Sequence, residues 1–262
     1  MRVALTMLEA GEMCLLLFAY GVSKDAVAVI GANREEAYER GGEPPRLHGS
    51  DRPFIGGIDP RAGGTWLGVN ECGLLVAITN RPDGPVPPQP RSRGLLVRDL
   101  LATCSLAEAA EATRAELAKG LYGGCNIVLL DRNSGHVVSG AESVQSEAIS
   151  PGIHALTSGN LNDTSDGRIW YALGALGESD LSSARLCAKQ FRTMCSGRSP
   201  GAPPMCLHGP KGGTVSSSVI ILRTPVSESE IWHCQGSPDR DPYADCSHLF
   251  RELAQPRMST QR

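Results

Sequence analysis

Two short blocks could do chemistry: Met13-Cys14, and Asn33-Arg34-Glu35-Glu36 some twenty residues later. A cysteine at the head of a chain carries a nucleophilic sulfur and a free amine on one residue. That amine titrates near ~7.7–8 and can serve as the base for its own thiol. Cys14 reaches this position if translation starts at Met13 or if the preceding leader is cut off. The other reading is a small buried hydrophobe, because Cys14 also opens the apolar run Cys14-Leu15-Leu16-Leu17-Phe18. A guanidinium beside a thiol favours the thiolate, which gives Arg34 a role, and a carboxylate at Glu35 would fix that guanidinium or hold the terminal ammonium. Asn80, in Ile78-Thr79-Asn80-Arg81-Pro82, could donate an amide hydrogen to a developing oxyanion or simply form a turn. Trp66, after Gly63-Gly64-Thr65, either walls a pocket or fills a core.

The elements that must position these residues read as strand pairs with turn signals between them. Cys14–Tyr20 and Ala26–Ala32 flank Gly21-Val22-Ser23-Lys24-Asp25. A turn centred near Ser23 sets Cys14 opposite Ala32 to Arg34, so the start of the first strand and the Asn33-Arg34-Glu35 corner share one end of a sheet. Gly63–Asn70 pairs with Gly73–Thr79, Asn126–Asp131 with His136–Ala141, and Val215–Arg223 with Glu230–Cys234. Ser105-Leu106-Ala107-Glu108 is a capping box opening a helix to about Lys119. A second helix is predicted across Gly94–Ala102, and a third over Asp180–Met194, where Leu181, Ala184, Cys187, Phe191 and Met194 form one stripe. The stretch 82–90, with five prolines, and the stretch 196–213 are predicted loops. Antiparallel hairpins with segregated helices predict an α+β layered domain.

Composition narrows the function classes. The chain has 262 residues, 41% of them hydrophobic, and a formal charge of -3, which predicts one large domain with a sizeable core and no basic footprint for nucleic acid. No run approaches the ~18 apolar residues of a membrane span. Nine cysteines are present without a C-x-x-C pair or a histidine at zinc-finger spacing, so the expectation is no metal, mostly free thiols and a cytoplasmic location. No GxGxxG dinucleotide fingerprint, phosphate loop or G-x-S-x-G elbow occurs.

With these blocks in view, the chain resembles the NRDE family, named for an Asn-Arg-Asp-Glu motif and also called the transport-and-Golgi-organisation family. The resemblance rests on Met13-Cys14-Leu15-Leu16, Ala32-Asn33-Arg34-Glu35-Glu36, Gly64-Thr65-Trp66-Leu67-Gly68-Val69-Asn70, Gly73-Leu74-Leu75-Val76-Ala77-Ile78-Thr79-Asn80-Arg81, His154-Ala155-Leu156-Thr157-Ser158-Gly159-Asn160-Leu161-Asn162-Asp163 and Gly213-Thr214-Val215-Ser216-Ser217-Ser218. That family is similar in turn to N-terminal nucleophile hydrolases of the choloylglycine-hydrolase type. The resemblance implies an αββα sandwich of two facing antiparallel sheets, with Cys14 as nucleophile, Arg34 and Glu35 flanking it, and Asn80 at the oxyanion. Asn33, Trp66, Ser158 and Asn160 would contact substrate. Glu35 stands where the motif has Asp, and Ser158 where Asn is common. Family members usually begin at Met-Cys, so 1–13 is expected to be a leader or a misassigned start, with 14–254 one domain and 255–262 a polar tail. Two functions follow from the likeness: hydrolysis of a small-molecule amide or thioester through Cys14, or non-catalytic cytoplasmic carriage of haem or an acyl lipid linked to Golgi organisation and secretion.

Overall fold

The computed structural model describes residues 14–199 and 201–255; the leader at 1–13 and all but the first residue of the 255–262 tail lie outside the described residues. Among the described residues, thirteen strands form two antiparallel sheets. The strands in chain order are β1 (Leu15–Tyr20), β2 (Ala28–Ala37), β3 (Arg46–His48), β4 (Phe54–Gly56), β5 (Leu67–Asn70), β6 (Leu75–Asn80), β7 (Cys125–Leu130), β8 (Gly135–Gly140), β9 (Val144–Ala148), β10 (Gly152–Leu156), β11 (Gly212–Leu222), β12 (Glu230–Gln235) and β13 (Ala244–Asp245). One sheet has the order β10-β1-β2-β11-β12-β13 and the other runs β3 to β9 in sequence. Five helices accompany them: α1 (Arg93–Leu100), α2 (Leu106–Ala118), α3 (Gly167–Gly177), α4 (Ala184–Cys195) and α5 (His248–Leu253).

Alternation along each strand builds four layers, because successive side chains leave opposite faces. Leu16, Phe18 and Ile30 of the first sheet meet Val69, Leu75 and Val128 of the second in the central core. Leu15, Leu17 and Val29 point the other way, onto Ile169 of α3 and Phe191 and Met194 of α4. On the far side, Val76 and Ile127 pack beneath Leu96 and Leu100 of α1 and Ala109 of α2. This is the expected αββα sandwich. The N-cap half of the predicted capping box forms, with Ser105 Oγ accepting the Glu108 N–H at 3.4 Å.

Two features depart from expectation. The Asn33-Arg34-Glu35 corner is not a corner: β2 runs on through it to Ala37, because Asn33 and Glu35 are packed rather than exposed, at 0% and 3% accessibility. Helix α3 was not anticipated from its sequence; its three glycines, at 167, 174 and 177, mask the apolar stripe of Ile169, Ala172 and Leu176. Most thiols are free, as expected, yet one pair is bonded. Cys72, in the β5–β6 turn, is bonded to Cys104, in the loop between α1 and α2. Closing a loop with a sequence separation of 32 is expected to stabilise the fold by about 3–4 kcal/mol through the entropy of the unfolded chain. Cys72→Ser should therefore lower the urea midpoint under non-reducing conditions and leave it unchanged relative to reduced wild type; an unaltered non-reducing midpoint would refute the bridge. No helix among the described residues is long and apolar enough to cross a membrane.

Candidate active site

The β1–β2 register pairs Leu15 with Asn33, so Cys14, one residue earlier, lies across from Arg34. The hairpin is centred one residue later than Ser23, and the juxtaposition is the expected one. By strand parity, Cys14 and Arg34 share the face of Leu16 and Ile30, which looks toward the second sheet. There both line a cleft of about 470 Å³ together with Glu35, Glu36, Arg40, Asp59, Thr65, Trp66, Asn80, Arg81 and the segment 90–94. Gly64 and Gly94 bring the cleft wall together: a Cβ on Gly64 would collide with the Gly94 backbone, and Thr65 N–H donates to Gly94 O at 3.0 Å.

Parity splits the tetrad. Arg34 donates to Gly41 O, and its guanidinium lies 3.5 Å from Glu36, which is also 3.3 Å from Arg40. Arg40 is clamped in turn by Asp59 at 2.7 Å. Asn33 and Glu35 instead face the helices. Asn33 Nδ2 donates to the carbonyls of Cys195 and Met205, both at 2.9 Å, which ties β2 to the end of α4 and to the loop beyond it. Glu35 Oε1 accepts from Thr214 Oγ1 at 3.0 Å and from Arg168 Nη2 at 3.3 Å. The carboxylate that holds the cleft arginine is thus Glu36, and Glu35 braces the strand from behind. Arg168, on α3, is hard to read from the sequence: Asp166 caps the helix by accepting the Arg168 N–H at 2.7 Å, but the glycines mask the stripe that would extend the signal.

The electrostatics follow from burial. Cys14 is 9% accessible, and desolvation, with the nearby Glu35 charge, pushes its thiol up to about 12, outweighing a Glu35 carbonyl contact and Arg34. Its sulfur lies 3.9 Å from Glu35 O. Burial also lifts the Glu35 carboxyl from 4.5 to about 7, against the pull of Arg168 and Thr214. Glu35 Oε2 is buried without a hydrogen-bond partner among the described residues. A carboxyl raised on folding binds its proton more tightly in the native state. Its stabilising contribution is therefore fully present below about pH 4.5 and lost as pH rises through about 7. Urea unfolding of wild type and Glu35→Gln should show wild type losing stability relative to the variant between those limits, by on the order of 1–3 kcal/mol; parallel pH profiles would contradict this.

Asn80 ends β6 opposite Cys125 and lines the cleft. Arg81 beside it is pinned to Asp83 at 2.6 Å and to Asn160 Oδ1 at 2.8 Å. Asn160 therefore anchors its loop to the end of β6. Neither it nor Ser158 lines the cleft that Cys14 faces, whereas Trp66 does. Trp66 also packs against both the central core and the α1–α2 layer, so it is wall and core at once.

Two facing antiparallel sheets between helix layers, with a cysteine heading a strand at the cleft, define the N-terminal nucleophile hydrolase fold. The chain is similar to a Caenorhabditis elegans N-acylethanolamine-hydrolyzing acid amidase ortholog, at TM-score 0.53 and 15% identity over 79% of this chain and 92% of that one. It is also similar to a variant of the conjugated bile acid hydrolase of Clostridium perfringens, at TM-score 0.53 and 14% identity over 93% and 95% of the two chains. These likenesses establish the fold. Within it, the chain belongs to the Transport and Golgi organisation 2 family, whose profile matches residues 13–184. The mouse Transport and Golgi organization 2 homolog is 34% identical over 126 residues, 45% of this chain and 45% of the relative, so the match spans less than half of that protein's length.

Proposed function

We propose that this protein is a cysteine-nucleophile hydrolase of an amide or thioester bond in a small molecule, with Cys14 as the nucleophile. The observation that carries the reading is that Cys14, Arg34 and Asn80, drawn from two sheets, line one cleft of about 470 Å³, a volume in the range of small-molecule sites. The fold supports it: one structural neighbour is described as an acid amidase that hydrolyses N-acylethanolamines.

In the 262-residue chain the Cys14 nitrogen is a peptide N–H and no base. The working form in this proposal begins at Cys14. Its α-amine takes the thiol proton as sulfur attacks the substrate carbonyl, and returns that proton to the departing amine or thiol. The acyl-thioester left on Cys14 is then cleaved by water. Asn80 and a backbone N–H receive the oxyanion. Arg34, held by Glu36, supplies positive charge beside the sulfur, and Trp66 walls the acyl group. A panel of amides and acyl thioesters, assayed with the chain beginning at Cys14 and with its Cys14→Ala and Cys14→Ser variants, tests this. Turnover of at least one member that vanishes in Cys14→Ala is the expected result, and undiminished turnover in that variant refutes it.

The thiol held near 12 favours a second reading for the chain with its leader retained: the cleft binds haem or an acyl lipid without chemistry, as a cytoplasmic carrier in traffic to the Golgi. A visible absorbance scan with and without added haem, on wild type and on a variant altered at Trp66, separates the two. A haem band unaffected by Cys14→Ala but lost with Trp66→Ala supports carriage in this cleft; no band removes haem.

A further inference from the structure

Cys206, His208 and Asp239 stand apart from this chemistry. None of them lines the cleft that Cys14 faces, and their ligating atoms all lie within 4.8 Å of one another. Cys206 and His208 sit two apart in the segment that leads into β11, Cys206 at a bend and His208 bridged to Gly213, and their side chains approach to 3.8 Å. Asp239 comes from the turn after β12. Ser237 Oγ, in that turn, donates to Thr214 O at 3.0 Å, and Leu207 N–H donates to Thr214 Oγ1 at 2.9 Å, which locks the two loops together.

The pattern of contacts distinguishes a metal site from a catalytic relay. In a nucleophile–imidazole–carboxylate relay, the imidazole uses one nitrogen for each neighbour. Here a single nitrogen, His208 Nε2, faces both partners, 3.8 Å from Cys206 Sγ and 2.9 Å from Asp239 Oδ2. Cys206 Sγ is in turn 3.2 Å from Asp239 Oδ1. The three groups are thus mutual neighbours, the carboxylate meeting the imidazole with Oδ2 and the thiol with Oδ1. Bond lengths typical of zinc, placed tetrahedrally, put sulfur, nitrogen and oxygen ligands about 3.4–3.6 Å apart, so each group would shift by no more than about half an ångström to bind one. The Cys206 side is buried and the other two side chains are 30% and 27% accessible, so a fourth position opens to solvent. Arg240 Nε, 3.7 Å from Asp239 Oδ2, is the competing cation, and its side chain is 70% accessible and free to turn outward.

We infer that Cys206, His208 and Asp239 form a three-ligand site for a divalent transition metal, of which zinc is the natural occupant, with water at the fourth position. A thiolate, an imidazole and a carboxylate are the donor types zinc takes. Binding expels the Cys206 thiol proton to solvent; thiolate and carboxylate then offset the two positive charges, and affinity rises with pH. The metal would hold segment 205–208 in place. Met205 O in that segment accepts from Asn33 and from Arg168 Nη2, at 2.9 and 3.0 Å, so the site secures the brace behind β2 rather than the cleft itself. Cys206-Leu207-His208 carries no C-x-x-C mark, and its third partner, Asp239, lies about thirty residues on.

Cobalt(II) titration of chelator-treated full-length protein tests the inference. The expected result is one equivalent bound, with near-ultraviolet thiolate-to-cobalt charge transfer and visible tetrahedral bands, all displaced by zinc. Cys206→Ser should abolish the charge-transfer band. His208→Ala, at an accessible position, should weaken binding by at least the ~10–100-fold that loss of even an outer partner costs, and keeps the test valid should Cys206→Ser fail to fold. Absence of stoichiometric binding, charge transfer that survives Cys206→Ser, or an unchanged affinity in His208→Ala would each overturn the assignment.

Discussion

Protein whose first residue is Cys14 is expected to react with iodoacetamide at pH 7.5 about 100-fold faster at that residue than the 262-residue chain does. With its thiol near 12, Cys14 in the longer chain is almost wholly protonated. Restoring an ordinary thiol near ~8.5 raises the thiolate population roughly 3,000-fold at this pH. Nucleophilicity falls with basicity at a slope of about 0.4–0.5, which returns some 1.6 decades of that gain. The measurement is clean because the competitors are slow: burial holds Cys125, Cys187, Cys195 and Cys206 up at about 12 and Cys234 at about 11. Cys72 and Cys104 are bonded to each other, which leaves half-buried Cys246 as the reference thiol. Peptide mapping that finds equal Cys14 rates in the two forms would remove the α-amine from the mechanism.

Asn80→Ala is expected to lower turnover by ~100–1000-fold, the usual cost of one oxyanion donor, with little change in KM and stability. The loss belongs to kcat because the amide is asked to bind charge that exists only in the transition state. Asn80 is the last residue of β6, so truncating it removes no core packing. A rise in KM at constant kcat would make Asn80 a ground-state contact instead. Asn80→Asp offers a sharper control: it keeps the shape and replaces a donor with an acceptor, and should be at least as damaging as alanine.

The fold was legible where period and punctuation agreed. Asn133 and Ser134, in the turn between β7 and β8, take their N–H groups to Asp131 Oδ1 at 2.8 and 2.9 Å, a turn chemistry written in the residues themselves. It was illegible where tertiary packing outweighs local signals. The strand β2 reads as ending at Ala32 because Asn33-Arg34-Glu35-Glu36 is polar, yet it continues because the polar groups find partners on α3, α4 and β11. That Cys14 and Arg34 lie across from each other was recoverable from hairpin register. Which acid faces the arginine was not, since that depends on how far the strand runs. The Cys72–Cys104 bridge joins residues whose separation carries no local mark.

The alternation along β2 changes what the tetrad can diagnose in other chains. Asn33 and Glu35 spend their polar atoms on the backbone of the 195–205 region, on α3 and on β11, which is architectural work that a chain with no chemistry would still need. Arg34 and Glu36 turn their side chains to the cleft, which Glu35 also lines, its carbonyl beside the Cys14 sulfur while its carboxylate is held by Thr214 and Arg168. A relative that keeps the first and third positions while losing the second and fourth would retain the sandwich and relinquish the charged site. In this chain the first and third positions of the motif therefore serve the fold, and the second and fourth supply the charge of the cleft.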